Sequence, residues 1–142
     1  MTAIEDILKN SRTVAIVGLS SNPERPSYVV GRYLKEHGYH IIPVNPNEKK
    51  VLGQKSYPDL ASIPRKIDVV DIFRRSEDVP PIVRDAIKIG AKAVWMQEGI
   101  KNAEAAAAAI KAGLKVVMNK CMRKQHIRLT NQNSKIKSQR HR

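Results

Sequence analysis

Five short apolar runs punctuate the chain: Thr13-Val-Ala-Ile-Val-Gly18, His40-Ile-Ile-Pro-Val44, Asp68-Val-Val-Asp-Ile-Phe73, Ala91-Lys-Ala-Val-Trp-Met96 and Leu114-Lys-Val-Val-Met118. They are too short for helices and too evenly apolar for half-solvated strands, so they predict strands buried on both faces. Between them the period changes. Val29, Val30, Tyr33, Leu34 and His37 recur at helical spacing until Gly38, with Ser27 as the expected N-cap. Residues 79–89 and 102–112 show the same spacing and are closed by Gly90 and Gly113, and the alanines at 105–109 favour helix strongly. A helix over residues 2–9 is expected from Ile4, Ile7 and Leu8 on one face, whereas residues 46–66 read as turns with one short helix. Alternating strands and helices predict an α/β fold: a Rossmann-like, doubly wound, mainly parallel five-stranded sheet with helices on both faces.

Composition sets the extent of this domain. The chain has 142 residues, 42% of them hydrophobic and 27% charged, which fits one domain with an aliphatic core. Residues 130–142 contain a single aliphatic side chain, Ile136. They cannot offset the entropy of ordering by burial, so a folded domain over 1–129 and a disordered basic tail over 130–142 are expected. No apolar run approaches the roughly 18 residues of a membrane span and no signal pattern opens the chain, so the expected location is cytoplasmic. One cysteine, Cys121, excludes an internal disulfide and a cysteine-built metal site, and the four histidines show no ligand spacing, so no metal is expected.

The formal net charge of +13 is unevenly spread. Residues 1–104 carry 16 Lys/Arg against 13 Asp/Glu, whereas residues 105–142 carry 10 Lys/Arg and no acid. Basicity is therefore a property of the C-terminal region.

In open parallel sheets ligands bind beyond the carboxyl ends of the strands, where the winding reverses. The first such loop, Gly18-Leu-Ser-Ser-Asn-Pro-Glu-Arg-Pro-Ser27, joins hydroxyls, the Arg25 guanidinium and a helix N-terminus, a combination suited to an anion. Leu19 and Ser20 stand where a dinucleotide fingerprint needs a further glycine, and Val44-Asn45-Pro46 lacks the acid that would hold an NAD ribose. An NAD-linked enzyme is disfavoured. The third strand ends at Phe73-Arg74-Arg75, with one arginine expected to face the crevice and Arg74 the better candidate. The fourth ends at Gln97-Glu98-Gly99, and the last at Asn119-Lys-Cys121.

Taken in order, Val14–Gly18 with Ser20-Ser-Asn-Pro-Glu-Arg-Pro-Ser27, Pro43-Val-Asn-Pro46, Asp71-Ile-Phe-Arg-Arg75, Trp95-Met-Gln-Glu-Gly-Ile100 and Val116-Val-Met-Asn-Lys-Cys121 resemble the small CoA-binding proteins. That family is similar to the CoA-binding domain of the succinyl-CoA synthetase alpha subunit. The resemblance implies a ligand, coenzyme A or an acyl-CoA, held by Gly18, Ser20, Ser21, Asn22, Arg25 and Pro26 near the phosphates. It implies Val44, Asn45 and Pro46 near the adenosine, and Phe73, Arg74, Gln97 and Gly99 along the same crevice. The resemblance implies an Asp at the position of Asn119, so an acid role there is not carried over to this chain. No Ser/His/Asp set or carboxylate pair stands out at the strand ends, so binding is better supported than catalysis. Two alternatives stay open: a nucleic-acid-associated protein using the basic tail, and a ligase or transferase component that needs a partner chain.

Overall fold

The computed structural model describes residues 1–140, with side-chain surroundings given for residues 1–134. Helix α1 (Ala3–Asn10) is capped by Thr2, whose hydroxyl accepts from Glu5 N–H. There follow β1 (Thr13–Val17), α2 (Pro26–Glu36) and β2 (His40–Val44). A hairpin of β3 (Lys50–Val51) and β4 (Gln54–Lys55) comes next, and then β5 (Val69–Ile72), α3 (Val79–Lys88), β6 (Ala93–Met96), α4 (Ala103–Lys111), β7 (Lys115–Val117) and α5 (Met122–Arg140). No helix among the described residues is long and apolar enough to cross a membrane.

The five expected strands form one parallel sheet in the order β2-β1-β5-β6-β7. Winding reverses between β1 and β5, which fixes where a crevice must open. Strand alternation sorts the core. Val14, Ile16, Val69 and Trp95 face α1, α2 and α5, meeting Ile7, Leu8, Val30, Leu34 and Met122. Ala15, Val17, Val70, Ile72 and Val94 face the opposite layer, meeting Val79, Val83 and Ala86 of α3 and Ala105 and Ala109 of α4. The alanines of α4 let that helix approach the sheet closely.

Three local expectations change. Helix α2 begins at Pro26, not after Ser27: Arg25 occupies the N-cap position without a side-chain cap, and proline at the first helical position needs no N–H partner there. The Ser27 hydroxyl instead accepts from Ser20 N–H at 3.0 Å. Residues 46–66 hold the β3–β4 hairpin as well as a one-turn 3-10 helix at Leu60–Ser62. The hairpin turns at Leu52 and Gly53, both with positive φ, as a tight primed turn requires. Finally, α5 continues through residues 130–140, where the sequence alone predicts coil. Its first turns are docked on α2, so the costly nucleation step is already met and propagation needs no buried face. His141 and Arg142, the end of the expected tail, lie outside the described residues.

The β2 edge is closed by a single bridge. Tyr57 N–H donates to Pro43 O and Asn45 N–H donates to Tyr57 O. Because the Pro43 carbonyl faces outward, its missing N–H removes no bond to β1.

An aromatic cluster seats α5 on α2. His126 Nδ1 and the Tyr33 hydroxyl are 2.7 Å apart, His37 stacks on Tyr33 at a centroid distance of 3.9 Å, and the His37 and His126 rings lie 5.5 Å apart. Arg123 covers the Tyr33 ring. Burial first, and then His37, hold His126 below its usual value of 6.5. The unfolded chain therefore takes up the proton first, so stability is expected to fall as pH drops through about 6.5. His40, held down by burial and by Arg65, acts in the same window. Thermal melts of His126→Gln should show a shallower loss between neutral and mildly acid pH than the parent chain. Identical profiles would refute the assignment.

Candidate functional site

A cleft of about 1120 Å³ opens at the carboxyl ends of β1 and β5, at the reversal of winding. Its floor is the close approach of two strand ends. Gly18 N–H donates to Val44 O at 2.8 Å and Phe73 N–H to Val17 O at 2.8 Å, which ties the three strand ends together. Gly18 has φ +93°, and a Cβ there would lie 2.3 Å from Phe73 O and 2.9 Å from Arg74 Nη1. Only glycine lets the Arg74 guanidinium lie across this backbone.

The loop after β1 is built by its own polar groups. Ser20 Oγ accepts from Asn22 N–H, Asn22 Oδ1 accepts from Glu24 N–H, and Ser21 N–H donates to Glu48 at 2.6 Å. The bond from Ser21 holds the Glu48 carboxyl below the usual range. This network delivers Arg25 and the first turn of α2 to the cleft.

Of the residues expected from sequence, Gly18, Ser20, Arg25, Pro26, Asn45, Phe73, Arg74 and Gln97 line the cleft. Ser21, Asn22, Val44, Pro46 and Gly99 do not. Ser21 and Asn22 shape the loop, Val44 is buried in β2, Pro46 is exposed behind it, and Gly99 makes a turn at φ +86°. Two of the lining amides are committed to the protein as well. Asn45, 9% exposed, donates from Nδ2 to Leu19 O and accepts from Asn47 N–H. Gln97, 4% exposed, accepts from Met122 N–H at 3.1 Å and so caps the start of α5. Arg75 reaches the rim but pairs with Asp78 at 3.1 Å and with Glu77.

The start of α5 completes the wall and was not expected from sequence. Cys121, Arg123 and Lys124 line the cleft, with Val29, Val30 and Ile100 as apolar neighbours. Their position is fixed from β6: Trp95 Nε1 donates to Lys120 O at 2.8 Å, and Gly99 N–H to Asn119 Oδ1 at 2.7 Å. Asn119 has φ 59°, a left-handed conformation that asparagine tolerates well. Lys124 is held by Glu98 at 2.9 Å. Arg123 and Lys124 sit in the first helical turn, where the macrodipole disfavours cations and the turn itself carries no acid. Cations against a positive helix end are a readable signal of an anion site.

Two helix N-termini, those of α2 and α5, thus converge with Arg25, Arg74 and Arg123 on one cleft. An open parallel α/β domain with its cleft at the reversal of winding belongs to the Rossmann-like class of folds. The model of the CoA binding domain family matches residues 12–127, and the chain belongs to that family. It is 38% identical over 123 residues to the uncharacterized protein YneT of Bacillus subtilis, covering 87% of this chain and 91% of that protein. A hypothetical protein from Pyrococcus horikoshii has a solved structure with TM-score 0.88 and 45% identity, covering 92% of this chain and 93% of that one. An ADP-forming acetate–CoA ligase of Archaeoglobus fulgidus is 32% identical over 101 residues. That match covers 66% of this chain but only 15% of the ligase.

Proposed function

We propose that this chain binds coenzyme A or an acyl-CoA in the cleft at the β1–β5 reversal, as a binding module without a reaction of its own. The observation that carries the reading is the meeting of two helix N-termini with Arg25, Arg74 and Arg123 on one cleft. CoA carries a pyrophosphate and a 3′-phosphate, which need several fixed cations and backbone N–H groups, and a pantetheine arm, which needs an apolar slot. Val29, Val30, Phe73 and Ile100 supply the slot. The cleft volume, about 1120 Å³, lies at the upper end of small-molecule sites and suits a nucleotide with an arm better than a lone phosphate. Asn45, beside the loop after β1, is assigned to the adenosine end, and residues 1–129 form the binding unit.

A binding role fits the chemistry of the lining. No histidine is among the lining residues, and two of the three lining acids, Asp78 and Glu98, are paired with Arg75 and Lys124. The chain matches only 15% of the ligase, so reactions that depend on the remainder of such an enzyme would need a partner chain.

Calorimetry with CoA, dephospho-CoA and adenosine tests this. Arg25→Ala and Arg74→Ala are each expected to weaken CoA by roughly 1.5–3 kcal/mol, about ten- to a hundredfold, and adenosine little. Equal loss on all three ligands would mean that the arginines shape the cleft and touch no phosphate. No CoA binding by the parent chain would refute the reading.

A further inference from the structure

The cleft accounts for the cations at the start of α5 but not for those along its length. Met122 is buried, His126 joins the cluster on α2 and Leu129 packs against the same core, so the helix is docked over its first eight residues. From Thr130 to Ser134 every residue is exposed. After Glu104 the chain contains no Asp or Glu. Beyond Lys124, which belongs to the cleft, Arg128 and Asn131 are three residues apart on one row of the helix, and both are exposed. Lys135 is the next position of that spacing, and Lys137 and Arg140 add two further charges elsewhere around the helix. Among the described residues, Arg128 has no ion-pair partner.

We propose that the cations of α5 from Arg128 onward dock the phosphodiester backbone of nucleic acid. Charge complementarity is the first argument. From Arg128 to Arg140 the helix rises about 18 Å, a length over which a duplex presents roughly 11 phosphates. Compensation of the helix dipole explains cations in the last turn but not Arg128 at mid-helix. The second argument is the absence of any apolar face beyond Leu129. Residues 130–142 contain one aliphatic residue, too few to enter a bilayer or form the core of a protein interface. What they do contain, Thr130, Asn131, Gln132, Asn133 and Ser134, are neutral groups that hydrogen-bond phosphate oxygens. Helix α5 contains no Phe, Tyr or Trp and its one imidazole, His126, is engaged with Tyr33, so bases have nothing to stack on. Binding is therefore sequence-independent and tighter for a duplex, whose charge density is higher.

The test uses the full chain with a labelled DNA duplex and a labelled single-stranded RNA, followed by fluorescence anisotropy from about 50 to 200 mM salt. The expected duplex dissociation constant lies around 10⁻⁴–10⁻⁶ M near physiological salt and rises steeply with salt. The combined variant Arg128→Gln, Lys135→Gln, Lys137→Gln, Arg140→Gln should lose at least tenfold in affinity. Its log–log salt slope should be shallower by roughly 3–4. A thermal melt of the variant shows that its body is intact. Saturating CoA should leave duplex binding unchanged, which separates this surface from the cleft. Absence of duplex binding, an unaltered variant, displacement by CoA, or equal displacement by poly-glutamate would each overturn the proposal.

Discussion

Gly18→Ala is expected to remove ligand binding and to lower the melting temperature by several degrees. The added Cβ would lie 2.3 Å from the Phe73 carbonyl oxygen, a backbone atom pinned between two hydrogen-bonded strands. Backbone at φ +93° costs an alanine about 1–3 kcal/mol before any clash is counted. Relief requires β1 and β5 to separate at their ends, where Arg74 crosses from one to the other. Stability and affinity should therefore fall together. Calorimetric CoA titration beside a thermal melt checks this, and a variant that melts like the parent and still binds would show that the strand ends yield freely.

Asp71→Asn is expected to stabilise the protein at neutral pH and to have little effect in acid. Asp71 sits in β5 between Ile16 of β1 and Trp95 of β6, is 0% exposed, and neither carboxyl oxygen has a hydrogen-bond partner. Burial pushes its carboxyl well above the usual carboxylate range, and the dipole of the adjacent Ile72 N–H offsets this only in part. The folded state thus keeps a proton that the unfolded chain loses near pH 4. Stability contributed by the protonated group is complete below that pH and declines as pH rises toward the folded-state value. Each pH unit separating the two titrations costs about 1.4 kcal/mol at neutral pH. Asparagine carries no such penalty, so denaturant melts of the two chains should converge near pH 4 and diverge above it. Parallel curves would show that Asp71 ionises as easily folded as unfolded.

How much was legible in the sequence depended on burial. The sheet strands were, because a strand covered on both faces must be almost wholly apolar, and β6 and the Val14–Val17 stretch of β1 carry that signature in full. The hairpin was not: β3 and β4 have two residues each, and only Val51 among the four is buried. In the cleft, Gly18 and Arg74 were found because they follow strand ends, and Arg25 because it stands at a helix start. Asn45 and Gln97 were placed correctly, but their anchoring to Leu19 and Met122 depends on loops whose paths a pattern does not reveal. Cys121, Arg123 and Lys124 reach the cleft only because the chain leaves β7 and α5 docks on α2, a long-range event with no local periodicity. The sign available beforehand was the pair of cations at a helix start.

The two borders of the sheet also decide how the molecule behaves in a crowded solution. An unpaired strand invites a second chain to add itself by backbone pairing. On one side β2 presents a proline and is already engaged by Tyr57, so an incoming strand finds no donor at Pro43 and the Pro43 carbonyl already taken. On the other, β7 is three residues long, begins with the exposed Lys115 paired to Asp6, and is flanked by α1. Both flanks are closed to templated growth, so the chain should stay dispersed at concentrations where an open five-stranded sheet would assemble into fibres.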